Sequence, residues 1–461
     1  METQVNLAPS IHVTRLVISR LALALPALLF AAVPAWADDP FLRRTTTVRV
    51  VKKVGPAVVN ITTERAVGRR RPFQPFAGDP FFERFFRDFF EPRSPQTTQS
   101  LGSGVIIDDA RHVLTNEHVV SRADAIRVTL ADGREFEATL VGADPNNDLA
   151  ILKLETEEKV PSAAPGSSAD LMVGEPVIAI GNPFGLSNSV TTGVLSAVDR
   201  SIRSDNRVFH GFLQTDASIN PGNSGGPLLN AEGELIGVNT AIYQGAQGIG
   251  FAIPIDVAKR VVHELITRGE VAPVWLGLDL QDLDPQLSEV MQLPDRLSGA
   301  LVSRVRADGP AAASGVERRD VITRVDGHPV RGAREFYEIL ERSTARQKLR
   351  LTLFRGGAER QVTTVVAEIP DTLIAELGEQ MLGFALEGAP RGGFQVTRVR
   401  SGSGADRIGI EKGDLILGIN GKPLNGEEAL RRSVLDLRGR SRALVVVQRG
   451  RGRYHVTVPL S

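Results

Sequence analysis

Cysteine is absent from this chain of 461 residues. That absence excludes a thiol nucleophile, a thiolate-ligated metal site and any disulfide. A surplus of one charge is lacking too, since 54 basic residues face 54 acidic ones, so nucleic acid is not expected as a partner. No P-loop-like segment occurs, which argues against nucleotide-driven work. Long apolar runs are confined to the start of the chain, where Arg15 and Arg20 precede the apolar stretch 21–33 and Ala35-Trp36-Ala37 follows it. This layout predicts a secretory leader, residues 1–37, cleaved before Asp38. An uncleaved membrane anchor is the alternative, disfavoured by a short apolar core that Pro26 interrupts. Removing residues 1–37 reduces 461 residues to 424 and takes away Glu2, Arg15 and Arg20, leaving 52 basic and 53 acidic residues and a net charge of −1. A secreted chain without disulfides must draw its stability from core size and from oligomerisation.

What is present points to β-structure in several domains. The 42% apolar content is enough to fill several cores, and 45 glycines with 27 prolines suit turn-rich sheets. From residue 48 to about 266 short runs of Val, Ile, Leu and Thr, such as 104–107, 125–130, 177–180 and 235–239, alternate with Gly, Asn and Asp turns. That texture predicts closed β-sheet, with the small-residue and proline stretch 155–170 as a crossover between two barrels. One insertion interrupts it between 67 and 100, where the phenylalanines of 80–90 recur every four residues with charges between them. Packing in a core or at a subunit contact is the usual reason for such a stripe, and interfacial contact with a membrane surface is the minority reading. Beyond 266 a repeat appears. Gly315-Val316-Glu317-Arg318-Arg319-Asp320-Val321-Ile322 is echoed 94 residues later by Gly409-Ile410-Glu411-Lys412-Gly413-Asp414-Leu415-Ile416. A period of that size is a duplicated domain. Each copy follows a Leu-Gly pair and contains a helix-compatible stretch, 333–342 and 425–435.

The chemistry is concentrated in Asn220-Pro221-Gly222-Asn223-Ser224-Gly225-Gly226-Pro227. Glycines around a serine permit the tight backbone and the close carbonyl approach that acyl transfer needs. A serine hydroxyl is inert without a general base, so the motif predicts a histidine and a carboxylate elsewhere. His118 lies in Leu114-Thr115-Asn116-Glu117-His118-Val119-Val120, and Asp148 precedes the apolar run 149–154. Singly each has a bland explanation, a loop serine, a structural histidine and a turn aspartate. Together they stand in the chymotrypsin order His, Asp, Ser, which differs from the orders of subtilisins and α/β-hydrolases.

With these motifs, and with Gly181-Asn182-Pro183-Phe184-Gly185-Leu186, Gln214-Thr215-Asp216-Ala217-Ser218-Ile219-Asn220 and Gly250-Phe251-Ala252-Ile253-Pro254, the chain resembles the HtrA/Deg family of periplasmic serine endoproteases in its two-PDZ form. The resemblance covers nearly all of the chain beyond the leader. It implies a mainly β fold: a chymotrypsin-like double β-barrel protease domain over 38–268, with 67–100 as a regulatory loop, then α+β PDZ domains over 269–370 and 371–461. It implies catalysis by His118, Asp148 and Ser224, an oxyanion hole from Gly222, Asn223 and Ser224, and no metal or other cofactor. The pocket floor of trypsin-like folds falls at Ser218, which is not acidic, and with Ile219, Ile249, Gly250 and Phe251 it suggests cleavage after small aliphatic residues. Leu276-Gly277-Leu278 and Leu382-Gly383-Phe384 match PDZ carboxylate loops that capture exposed C-termini, although either module could instead only pack on its neighbours. Activation loops fall at 181–189, 197–210, 219–222 and 243–248, and Arg200 matches a position that relays activation between subunits. The first copy departs from the family by carrying Arg319 where Gly413 stands in the second, which predicts a strained turn. The implied partners are unfolded or misfolded polypeptides and further copies of the chain, in trimers or larger cages. The resemblance also implies chaperone-like holding of such polypeptides, an activity the family combines with cleavage.

Overall fold

Strand alternation sorts the apolar residues of the N-terminal half between two kinds of core. In the segment Leu149–Leu154, Ala150, Leu152 and Leu154 point into one barrel with Val59, Ile61, Ile106, Val113 and Val128. Leu149 and Ile151 point the other way, into a shared core with Ile178, Ile180, Val238 and Ile253 of a second barrel. A strand buried on both faces needs a nearly unbroken apolar run, which is what 149–154 supplies. Each leucine, isoleucine or valine among them contributes about 1.5–3 kcal/mol when fully buried.

The computed structural model describes residues 43–66, 97–121, 123–183, 188–204, 207–220, 222–242, 248–294, 297–389, 392–438 and 440–460. The leader and nearly all of the phenylalanine-rich insertion lie outside these residues. The first barrel contains β1 (Val58–Ala66), β2 (Thr97–Ile106), β3 (His112–Thr115), β4 (Ala125–Thr129), β5 (Glu135–Asp144) and β6 (Leu149–Leu154), closed in the order β1-β2-β3-β6-β5-β4. The second contains β7 (Pro176–Gly181), β8 (Ser189–Ser204), β9 (Arg207–Thr215), β10 (Pro227–Leu229), β11 (Leu235–Ile242) and β12 (Gly250–Pro254), closed as β10-β11-β12-β9-β8-β7. The crossover lies between β6 and β7, as the prolines of 155–170 suggest. The described residues of 197–210, matched by resemblance to an activation loop, lie in the paired strands β8 and β9.

The strand texture was expected to run to about 266, but it stops at Pro254 and a helix spans Ile255–Arg268. Ile255, Ala258, Val261 and Leu265 recur at helical spacing and pack on the outward faces of β5, β6 and β11. Gly269, left-handed at φ 78°, ends the helix and returns its N–H to the Leu265 carbonyl.

The duplicated region forms two sheets of one topology. The first comprises β14 (Leu278–Asp282), β15 (Ala300–Val305), β16 (Val321–Val325), β17 (His328–Pro329), β18 (Lys348–Arg355) and β19 (Ala358–Val365). A two-stranded ribbon of β13 (Val274–Trp275) and β20 (Ala367–Glu368) closes its base. The second comprises β21 (Phe384–Gly388), β22 (Phe394–Val399), β23 (Leu415–Ile419), β24 (Lys422–Pro423), β25 (Arg442–Arg449) and β26 (Gly452–Pro459). Helices Ala333–Glu341 and Glu427–Leu435 occupy equivalent places, close to the stretches expected from sequence. Trp275, Ile369, Leu373, Ile374, Val434 and Leu435 pack the two modules together through the intervening helix Asp371–Leu382.

Arg319 adopts the left-handed conformation, φ 78°, as Gly413 does at φ 96°. The strain predicted from sequence is therefore present in the backbone, where a Cβ is disfavoured by about 1–2 kcal/mol.

Candidate active site

Three chain segments meet where the barrels face each other. His118 sits on the single-turn helix Glu117–Val120 directly after β3. The buried Asn116 before it donates from Nδ2 to the Asp148 carbonyl at 2.9 Å, joining that turn to the one after β5. Asp148 takes a left-handed conformation, φ 52°, which aspartate tolerates better than most residues. This backbone turns its carboxylate toward His118. Asp148 Oδ1 lies 2.8 Å and Oδ2 2.9 Å from His118 Nδ1, and Oδ1 also accepts the His118 backbone N–H at 3.1 Å. A charge-assisted contact of this length holds the imidazole with its proton on Nδ1.

Ser224 is supplied by the second barrel. Its backbone carbonyl accepts from the Ser103 N–H at 2.9 Å, so the Ser224 turn is hydrogen-bonded to β2 of the first barrel. Gly225, at φ 82°, has no room for a side chain: a Cβ there would lie 2.2 Å from the Ser103 carbonyl oxygen. The Gly222 carbonyl accepts from Ser103 Oγ at 2.5 Å, and the same hydroxyl oxygen accepts the Asn182 N–H at 2.7 Å. Asn223 Nδ2 donates to the Ser218 carbonyl at 3.1 Å while its Oδ1 accepts the Asn220 N–H at 2.9 Å. The Asn223 side chain thus staples the 218–223 loop ahead of the serine.

Thr240 of β11 ties these parts together, and no motif marks it within its strand. Its hydroxyl donates to Asp148 Oδ2 at 2.7 Å, and its carbonyl accepts from Ser224 Oγ at 3.1 Å. Sequence reasoning missed it.

Of the residues expected to line a specificity pocket, Ile219 and Gly250 are adjacent, since a Cβ on Gly250 would lie 2.5 Å from Ile219 Cγ1. Ile249 is half-buried and Ser218 exposed. Phe251 lies on the opposite face of β12 from Ala252 and packs edge-on to Phe212 at 6.2 Å, away from Ile219. Arg200 lies on the exposed face of the β8–β9 hairpin and donates from Nε to Gln214 at 2.8 Å. In the duplicated modules β14 and β21 are terminal strands of their sheets, and each begins beside its Leu-Gly pair. Leu276, Leu278, Leu382 and Phe384 are buried, and Gly277 and Gly383 are left-handed at φ 77° and 81°.

Comparison with known proteins agrees with this architecture. The trypsin-like peptidase domain family matches residues 102–238, and the PDZ domain family matches 274–366 and 372–446. A probable periplasmic serine endoprotease, DegP-like, of Halomonas elongata is 37% identical over 442 residues, covering 89% of this chain and 92% of that protein. A putative serine protease, HhoA, of Synechocystis is 41% identical over 350 residues, 73% of this chain and 88% of its own length. Among solved structures, a variant of the HtrA-type protease AlgW with a decapeptide is 38% identical, with a TM-score of 0.50 over 70% of this chain and 98% of that one. The chain belongs to the HtrA family of DegP-like serine endoproteases, with a trypsin-like peptidase domain followed by two PDZ domains.

Proposed function

We propose that Ser224 is the nucleophile, His118 the general base and Asp148 the orienting carboxylate of this endoprotease. The double contact between Asp148 and His118 Nδ1 carries the reading, because it makes Nε2 the basic nitrogen of the ring. In the reaction Ser224 Oγ turns its proton from the Thr240 carbonyl to Nε2 and attacks the scissile carbonyl. The protonated imidazole, stabilised by Asp148, passes that proton to the leaving amine, and water then hydrolyses the acyl-enzyme by the same path. The backbone N–H groups of Gly222 and Ser224, with Asn223 between them, receive the oxyanion. Ile219 and Gly250 support a shallow apolar pocket over Ser218 and cleavage after Val, Ala or Ile. The test is casein digestion by wild type and Ser224→Ala in the full chain. The expected loss is about 10³-fold or more, and undiminished proteolysis in the variant overturns the assignment.

The wider assignment is a periplasmic quality-control protease that degrades misfolded envelope proteins without ATP, with the leader 1–37 removed. Its domains run 38–268, 269–370 and 371–461. The terminal strands β14 and β21 support capture of exposed C-termini by strand addition, their carboxylates held at 276–278 and 382–384. The same modules would hold unfolded chains that are not cut, so suppression of aggregation by the Ser224→Ala protein is expected. Assembly as trimers, with Arg200 relaying activation between subunits, completes the proposal.

A further inference from the structure

A buried cation that the proposed catalytic carboxylate attracts comes from a different domain. Arg342 caps the C-terminus of the PDZ helix Ala333–Glu341, yet its guanidinium is buried between β9 and the turn that joins β5 to β6. Nη1 donates to the His210 carbonyl at 3.3 Å, and the guanidinium lies 5.4 Å from the Phe209 ring centre and 5.6 Å from that of Phe212. The two carboxylates that attract it are Asp144 and Asp148, which flank that turn. The contact is reciprocal. Asn146 Nδ2 donates to the Glu341 carbonyl at 3.3 Å, and Asn147 Nδ2 donates to the Arg342 carbonyl at 3.2 Å. Those are carbonyls at a helix C-terminus, which have no partner within the helix and need external donors. Asn147 also donates to Asp144 Oδ2 at 2.6 Å, so the turn is fastened to itself and to the PDZ helix by one side chain.

Burial and charge say what this arrangement does. Burial lowers the Arg342 guanidinium to about 10, still charged at neutral pH, while the two carboxylates work against that lowering. Burial also pushes the Asp144 carboxyl up, opposed by Asn147, Asn146 and Arg342. The buried cation is attracted by both carboxylates of this turn, so it ties the turn to the PDZ helix by charge as the asparagines do by hydrogen bonds. His210, whose carbonyl Arg342 contacts, is also influenced by His328, which lies against Asp199, and by Arg331.

We propose that Arg342 is a positioning residue for the peptidase reaction: inserted from the first PDZ domain, it clamps the 144–148 turn so that Asp148 meets His118 in the aligned geometry. The proposal rests on the assignment of Asp148 and Ser224 made above. Arg342 touches no substrate and acts through the turn alone.

The test compares full-length wild type, Arg342→Met, Arg342→Lys and Ser224→Ala on a short chromogenic tripeptide anilide ending in valine. Methionine fills the slot without the charge, and lysine keeps the charge on a flexible stem. Arg342→Met is expected to lower kcat by about tenfold with KM changed less than about twofold, and Arg342→Lys to restore kcat to within about threefold of wild type. A role only in fastening domains would move thermal stability and leave kcat in place. Asn146→Ala, which removes a single helix-capping donor from a half-buried residue, keeps the proposal testable if Arg342→Met does not fold. It is expected to lower kcat about threefold at unchanged KM. Unchanged kcat in Arg342→Met or in Asn146→Ala, or a lysine variant as impaired as methionine, overturns the inference. Activity retained in Ser224→Ala overturns the triad assignment instead, so the two failures are distinguishable.

Discussion

The two PDZ domains share a topology and a 94-residue offset, but they use the same two positions in opposite ways. In the second domain Lys422 of β24 and Asp436, which caps the helix Glu427–Leu435, pair with each other at the surface. In the first domain the equivalent positions are His328 and Arg342, and both reach into the protease. His328 Nε2 lies 3.0 Å from Asp199, its ring is 4.5 Å from that of His210, and Arg342 is buried beside the turn of Asp148. Elsewhere the copies agree closely. Arg355 pairs with buried Asp320, and Arg449 pairs with buried Asp414, each Arg also donating to the carbonyl of the glycine that opens the repeated motif. A duplicated fold has therefore kept the pairs that hold its own loop and differs at a pair that stays within the second module but faces the protease barrels in the first.

Exchanging the differing residues is the strongest way to break this comparison. Arg342→Asp, which gives the first domain the residue of the second, sets a third carboxylate against Asp144 and Asp148. It should lower kcat on a short peptide by about 10²-fold or more, read by steady-state kinetics. Arg355→Ala leaves the Asp320 carboxylate buried without its guanidinium. The arginine is partly exposed, so the cost should be about 2 kcal/mol, less than for a fully buried pair, measured by denaturant unfolding of the full chain. Arg319→Gly relieves a left-handed arginine and should stabilise the first domain by about 1 kcal/mol, while Gly413→Ala should destabilise the second by a similar amount.

Acid should also separate the two domains. Burial, with His328, Arg342 and Arg331 nearby, lowers His210 from 6.5 to about 4, so it is neutral in the docked state. Its Nδ1 lies 2.6 Å from Ser201 Oγ, and Asp199 balances His328. A base depressed on folding contributes full stability above about 6.5, and that stability is lost as pH falls toward about 4. The first thermal transition of wild type should fall between about pH 7 and pH 5, and that of His210→Gln should fall less. The smallest effect belongs to Asp436→Arg. It disrupts only a surface pair and should change stability by less than about 0.5 kcal/mol, with kcat unchanged.

The chain announced its barrels and its duplication through local patterns, and the three residues proposed for catalysis stood in motifs of their own. Alternating apolar runs gave the strands, a motif repeated at an offset of 94 gave the modules, and glycines around Ser224 pointed to the proposed nucleophile. The helix Ile255–Arg268 was read as strand because its valines and isoleucines also favour sheet, and its register became decisive only against the outer faces of β5 and β6. Thr240 and Ser103 were not legible, since a hydroxyl within a strand acquires meaning only from what the fold sets opposite it. Arg342 was hidden for the same reason: 194 positions separate it from Asp148, and an arginine at the end of an amphipathic helix is ordinarily solvated.

The most direct test of the whole account is covalent. An alkyl fluorophosphonate reacts with an activated serine by forming an oxygen–phosphorus bond and releasing fluoride, and peptide mapping locates the adduct. The account predicts one modified residue, Ser224, with labelling abolished in His118→Ala. An adduct on another residue, or full proteolytic activity in protein whose Ser224 is quantitatively labelled, would contradict it.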